Sequence, residues 1–394
     1  MAVMTAAAAR PLLNVHLAEF GTTIFAEMSA LAVRTGAINL GQGFPDTDGP
    51  EAVREAAVRA LRDGRGNQYP PGPGVPELRH AIAVHQQTRY GLAYDPDREV
   101  LVTAGATEAI AASLLALVAP GDEVVGLEPY YDSYAACIAM AGGKRVPVTL
   151  RPDETGFHLD LDELRAAVTD RTRLILLNTP HNPTGTVLTR AELTAIAELA
   201  VERDLLVITD EVYEHLVFDG EHIPLASLPG MRERTVTISS SGKSLSFTGW
   251  KVGWITATPE LVTAVRTAKQ FLTYVASGPF QYAIAEGLAL PPAYFDGLRD
   301  ELRAKRDLLA AGLEDVGFKV YRPAGTYFIT TDITPLGARD GVEFCLALPE
   351  RAGVVAIPTS VFYDDKEAGR SLVRFAFCKK TEVLEEAVAR LKSW

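Results

Sequence analysis

Cysteine is scarce: Cys137, Cys345 and Cys378 are the only three in 394 residues, far apart and without a C-x-x-C pair. That excludes a disulfide framework or a zinc knuckle and suits a reducing compartment, so a cytoplasmic location is expected. Long hydrophobic runs are missing too: no window reaches the roughly 18 uninterrupted apolar residues of a membrane span. Positive charge is in deficit, with Lys+Arg 38 against Asp+Glu 50 and a net charge of −12. Nucleic acid and anionic membranes are therefore poor partners, although a local basic pocket for a small anion remains open. The opening MAVMTAAAAR has no basic start followed by an apolar run, so it reads as a frayed terminus rather than a signal peptide.

What is present is ordinary globular composition, 47% hydrophobic and 22% charged. Between residues 99 and 260 one rhythm repeats: a short apolar run, a turn, then helical spacing. The expected strands are Glu99–Thr103, Glu123–Leu127, Arg173–Asn178, Leu205–Asp210, Thr235–Ser239 and Gly253–Thr258. Most are continuous β-branched runs, as in strands buried on both faces. Arg190–Glu202 places Leu193, Ile196, Ala197 and Ala200 on one helical face. The expected fold class is α/β, a mostly parallel sheet between helices. After Pro291-Pro292 the pattern changes to a long amphipathic helix through about Val316. Short strands follow near Phe318–Tyr321, Thr326–Thr331 and Val354–Ile357, then SLVRFAF and a closing helix at Thr381–Lys392. This reads as a smaller α+β domain of residues 291–394 with 1–49 wrapped onto it, beside a large domain of 50–290.

Several loops imitate known motifs and fail. Ser241-Gly-Lys243-Ser244 resembles the end of a Walker A loop, but position 237 is Thr where the pattern needs Gly. Ser240-x-x-Lys243 has no S-D-N or K-T-G to complete a penicillin-binding site. Gly41-Gln-Gly43 and Gly72-Pro-Gly74 lack the third glycine of a dinucleotide fingerprint. Asn182-Pro183-Thr184 is no glycosylation acceptor, because its middle residue is proline.

Five features survive, and most fall at expected strand ends, where ligands sit in open α/β sheets. Gly105-Ala106-Thr107 opens a helix whose backbone N–H groups can hold a phosphate, although Thr107 could simply cap it. Asn182-Pro-Thr-Gly follows strand RLILLN and could equally be a plain turn. Asp210 ends LLVITD; it could cap a helix, or its carboxylate could keep a heteroaromatic ring nitrogen protonated. Lys243 lies in a Ser/Gly loop eight residues before Lys251, and that second cation would lower its pKa and make its amine nucleophilic. Arg374 sits inside an apolar strand, costly to bury unless its planar fork grips a carboxylate.

An imine-forming lysine, an acid for a ring nitrogen, a phosphate cradle and a carboxylate fork together describe pyridoxal phosphate and an amino acid. From about Phe25 onward the chain resembles the fold-type-I, pyridoxal-phosphate-dependent class I/II aminotransferases. The resemblance implies a seven-stranded sheet, the Schiff-base role for Lys243 and the ring-nitrogen acid for Asp210. It implies contact with the cofactor's O3′ for Tyr213 and Asn182, ring stacking for Tyr131, and phosphate contacts for Gly105, Ala106, Thr107, Ser240 and Lys251. Many relatives carry Arg at the position of Lys251. Arg374 would clamp the substrate carboxylate, with Phe25 and Gly43 lining the side-chain pocket. Tyr69, in NQYPPGPG, and the stretch holding Tyr274 and Ser277 would come from a neighbouring subunit, implying a homodimer. No metal is implied. The substrates implied are an amino acid and a 2-oxo acid such as 2-oxoglutarate. The subgroup includes kynurenine, glutamine and methionine aminotransferases, cysteine-conjugate β-lyases and N-succinyldiaminopimelate aminotransferases. Kynurenine enzymes tend to carry an aromatic residue and a His where this chain has Ala276 and Ser277. That leaves room for a long succinylated substrate, and the wording of GATEAIAA, EPYYDSY and ITDEVYEHLVFD most resembles the succinyldiaminopimelate subgroup. A secondary-metabolism aminotransferase is the competing expectation.

Overall fold

Runs that are apolar on both faces build the centre of the molecule. A computed structural model describes residues 12–21 and 23–393; the MAVMTAAAAR terminus lies outside the described residues. The central strands are β1 (Val100–Thr103), β2 (Glu123–Glu128), β3 (Lys144–Thr149), β4 (Thr172–Asn178), β5 (Leu206–Asp210), β6 (Thr235–Ser240) and β7 (Gly253–Thr256). They form one seven-stranded sheet in the order β1-β7-β6-β5-β4-β2-β3. Only β7 runs against its neighbours, β1 and β6; the other pairings are parallel. Apolar clusters cover the sheet, one containing Ile175, Val207 and Ile196 and another Leu174, Ile208 and Ile110.

Strand β3 escaped the sequence reading for a physical reason. It begins with Lys144 and Arg145 and contains Pro147, which cannot donate to a ladder and is confined to edges; β3 is an edge strand. The strand expected to reach Thr258 stops at Thr256, because the Thr258 hydroxyl accepts from the Leu261 N–H and starts helix Pro259–Lys269. Helix Arg190–Glu202 has the expected bounds, and a capping box between Thr189 and Glu192 explains its start. The helix after β1 begins at Gly105, with Ala104 and not Thr107 as its cap residue. Thr107 therefore lies in its first turn and is not the cap.

Past helix Pro292–Val316, strands β8 (Lys319–Tyr321), β9 (Phe328–Asp332), β10 (Ile357–Pro358) and β11 (Leu372–Ala376) make an antiparallel sheet in the order β8-β9-β11-β10. The single strand expected at Val354–Ile357 divides. Val354–Val355 pairs in parallel with Ile38–Asn39, while Ile357 pairs with Arg374 of β11. Helix Ile24–Thr35 buries Met28, Leu31 and Ala32 in the same cluster as Ile329, Val373 and Phe375. Residues near the N-terminus are thus packed onto the C-terminal sheet. No helix among the described residues is long and apolar enough to cross a membrane.

Candidate active site

Parallel strands deliver their last residues to one side of a sheet, and here β4, β5 and β6 end at Asn178, Asp210 and Ser240 around a cavity of about 380 Å³. Phe328 of β9 and Arg374 of β11 also line it, as do Phe25, Gly43, Tyr131 and Asn182.

Asp210 is buried; the Tyr134 hydroxyl donates to its Oδ2 at 2.6 Å and the Val212 N–H to its Oδ1 at 3.3 Å. Burial pushes its carboxyl up to about 6, with the Tyr134 bond, the Val212 N–H and Lys243 pulling the other way. A cation facing such a group favours its ionised form.

After β6, a single helical turn, Ser241–Ser244, carries Lys243. Burial is the main cause that brings its amine down to about 8; Lys251 and Arg374 add to the fall, while Cys378 and Asp210 oppose it. The expectation that Lys251 would be the agent is thus corrected: it contributes, but desolvation leads. The Lys243 Nζ lies 5.7 Å from the Tyr213 ring centre and 5.5 Å from that of Tyr327, and those rings meet edge to face at 5.3 Å.

Opposite stands an anion cradle. Gly105, at φ +76°, has Lys251 so close that an added Cβ would sit 3.2 Å from its Cε and Nζ. The ammonium therefore lies beside the first turn of helix Gly105–Leu117. Gly253 lets β7 approach the same turn; a Cβ there would meet the Gly105 carbonyl carbon at 2.5 Å and the Ala106 nitrogen at 2.7 Å. With Thr107 and Ser240 on the wall, free N–H groups, hydroxyls and a cation converge as a phosphate requires. Tyr131 shares the cavity, its ring edge-on to Tyr134 at 5.6 Å, and burial pushes its phenol up to about 12.

Arg374 is 2% exposed. Its Nη1 donates to Asn182 Oδ1 at 2.8 Å and its Nη2 to the Gly41 carbonyl at 3.2 Å, while Nε is buried without a partner. The Phe328 ring lies 4.0 Å from the guanidinium carbon. Burial lowers its pKa to about 10, which leaves it charged at neutral pH. An unsatisfied donor on a buried guanidinium is costly unless an anion completes it. Gly43 has no space for a side chain, since a Cβ would lie 2.3 Å from the Phe328 Cζ, and its carbonyl accepts from the Tyr327 hydroxyl at 2.5 Å.

The structure thus brings Phe25, Gly43, Gly105, Ala106, Thr107, Tyr131, Asn182, Asp210, Tyr213, Ser240, Lys243, Lys251 and Arg374 together. Tyr69, Tyr274 and Ser277 lie outside that cavity. The rings of Tyr69 and Tyr274 meet at 5.3 Å on the surface, and Tyr69 and Ser277 line a separate depression. Tyr134, Tyr327, Phe328 and Gly253 were missed by sequence reasoning. The only signal for Tyr134 was its place in EPYYDSY; Tyr327 and Phe328 fall in or beside the strand expected near Thr326–Thr331, where nothing local marked them as site residues.

The family profile described as aminotransferase class I and II matches residues 35–391. A probable N-succinyldiaminopimelate aminotransferase of Mycobacterium tuberculosis is 56% identical over 385 residues, 95% of this chain and 97% of that protein. The solved structure of N-succinyldiaminopimelate aminotransferase from that organism superposes with a TM-score of 0.95, covering 97% of this chain and 99% of its own. The methionine aminotransferase of Escherichia coli is 42% identical, with 95% and 97% of the two chains covered. The chain belongs to the class I and II aminotransferases.

Proposed function

We propose that this pyridoxal-phosphate-dependent aminotransferase moves the amino group of N-succinyl-L,L-diaminopimelate to a 2-oxo acid, 2-oxoglutarate being the expected acceptor. The observation that carries an amino-acid substrate is the buried guanidinium of Arg374, charged at neutral pH and lining the same cavity as Lys243 and Asp210. The donor set fits the cofactor: Gly105, Ala106, Thr107, Ser240 and Lys251 would hold its phosphate. Asp210 would face its ring nitrogen, Tyr213 and Asn182 its O3′, and Tyr131 its ring. When bound, pyridoxal phosphate supplies a cationic ring that draws in the electron pair left at the substrate Cα.

The chain's own residues do the rest. Arg374 binds and orients the α-carboxylate, holding the amine toward Lys243. Lys243 is the amine that would hold the cofactor. With its pKa brought down to about 8, a fraction of its amine is unprotonated near neutral pH, so its Nζ can take the Cα proton and return it elsewhere. Asp210, whose ionised form the Tyr134 hydroxyl favours, would direct its negative charge at the ring nitrogen. Tyr213 and Tyr327 wall the amine from bulk water.

The succinylated substrate is supported by the 56% identity to the mycobacterial relative and by the small side chains of Ala276 and Ser277, which would leave space where that stretch meets a neighbouring subunit's site. A cytoplasmic homodimer of two shared active sites accompanies this reading. Phe271, Leu272, Tyr274 and Tyr69 are exposed together with no cover from their own chain, which suits a subunit interface. Residues 50–290 would hold the cofactor, and 1–49 with 291–394 would close over the substrate. Turnover of N-succinyl-L,L-diaminopimelate, methionine, kynurenine and glutamine, each with 2-oxoglutarate or pyruvate, tests the assignment. The first should give the highest kcat/KM, and its failure beside good methionine turnover would replace it with a methionine reading.

A further inference from the structure

A second polar cavity, about 430 Å³, opens beside the loop that follows β5 and is lined by Tyr90, Glu214, His215 and His222. None of these residues takes part in the chemistry described above. His215 also meets the buried His85, on helix Pro76–Tyr90, with their Nε2 atoms 2.9 Å apart. One ligand atom each from His85, Glu214 and His215 lies within 4.8 Å of the others, and all three residues are buried.

We propose that His85, Glu214 and His215 bind one divalent transition-metal ion of the imidazole-preferring kind, such as Zn²⁺, at a site separate from the cofactor cavity. Two nitrogens, one carboxylate oxygen and a water drawn from the cavity make a four-coordinate set suited to zinc. Bonds of roughly 2.0–2.1 Å place tetrahedral ligand atoms about 3.3 Å apart. The imidazole nitrogens need to part slightly and the carboxylate to close inward, both adjustments of side chains at the end of an open cavity.

The surroundings match what metal ligands need. The His215 Nδ1 is paired with the Ser244 hydroxyl at 2.7 Å, which fixes the ring and turns Nε2 inward. Glu214 is oriented by the Tyr90 hydroxyl at 2.6 Å and the Ser239 hydroxyl at 2.5 Å, yet has no salt bridge among the described residues. His222 is already engaged by Glu211 at 2.8 Å and is not a ligand. Arg89 lines the same cavity, and its guanidinium lies 4.7 Å from the Phe295 ring centre.

An ion here would brace the cofactor loop, because Ser244 follows Lys243 and Ser239 precedes Ser240. The test uses holoenzyme stripped with a chelator and desalted, then titrated with ZnCl₂ in a calorimeter and with CoCl₂ under visible absorbance. One ion per chain is expected, with an intense four-coordinate Co²⁺ spectrum and a higher Tm when Zn²⁺ is added. His85→Gln should weaken Zn²⁺ binding by roughly tenfold or more and abolish the Tm rise. Ser244→Ala keeps all three ligands and removes only the ring's anchor; it should weaken binding by about tenfold, and it serves if His85→Gln does not fold. Absence of binding to the wild type, a six-coordinate Co²⁺ spectrum, or wild-type affinity in either folded variant overturns the proposal.

Discussion

Arg374 Nη1 donates to Asn182 Oδ1 at 2.8 Å, joining β11 of the C-terminal sheet to the loop that follows β4. That bond and the one from Nη2 to the Gly41 carbonyl orient the guanidinium's planar edge before substrate arrives. Arg374→Lys keeps the charge and loses that planar edge. Hydrogen bonds to charged groups are worth about 1.5–3 kcal/mol, so KM for the amino donor should rise roughly 10- to 100-fold while the cofactor's absorbance stays as in wild type. Steady-state kinetics beside a spectrum reads both.

Lys243→Ala removes the amine proposed to hold the cofactor. The absorbance band of the lysine-bound cofactor should vanish, and turnover should fall by at least about 10²–10⁴. An unaltered spectrum would sink the assignment.

Stability of the cofactor-free protein should depend on Asp210. Its folded pKa of about 6 lies above the ordinary 3.8, so between those values the unfolded chain has released a proton that the folded chain keeps. Stability contributed by this group is therefore present at low pH and falls as pH rises from about 4 to 6, by up to about 3 kcal/mol. Tm measured across pH should lose this component in Asp210→Asn, and adding cofactor to the wild type should offset the loss by giving the carboxylate a cation to face.

Tyr134→Phe removes the hydroxyl that favours ionised Asp210. The acid limb of the pH–rate profile should move to higher pH, and kcat should fall about tenfold, the equivalent of one hydrogen bond to a charged group. An unmoved acid limb would contradict the pairing.

Gly253→Ala should weaken the cofactor without unfolding the protein. The new Cβ would fall 2.5 Å from the Gly105 carbonyl carbon, and backbone cannot swing aside as a side chain does. Overpacking costs about 1–3 kcal/mol, so the cofactor dissociation constant should rise roughly 5- to 100-fold by equilibrium titration, with the far-ultraviolet dichroism unchanged.

Much of this was legible in one dimension. Runs such as LLVITD and TVTIS mark buried strands because side-chain hydrophobicity and β-branching act over a few residues, and the polar groups closing those runs fall at strand ends by the same local logic. Asp210, Lys243 and Asn182 could be picked out for that reason. The edge strand at Lys144–Thr149 could not, since its charge and proline tell against a strand until its place at the sheet's rim is known. Tertiary structure alone decided that Tyr134 reaches Asp210, that Gly253 lies against Gly105, and that Arg374 faces the loop after β4. It also decided that desolvation, more than Lys251, lowers the Lys243 amine. Contacts between distant segments, and the loss of water around a charge, follow from how strands are ordered and layers packed. Those outcomes are settled by burial summed over the whole chain and by no short stretch of it.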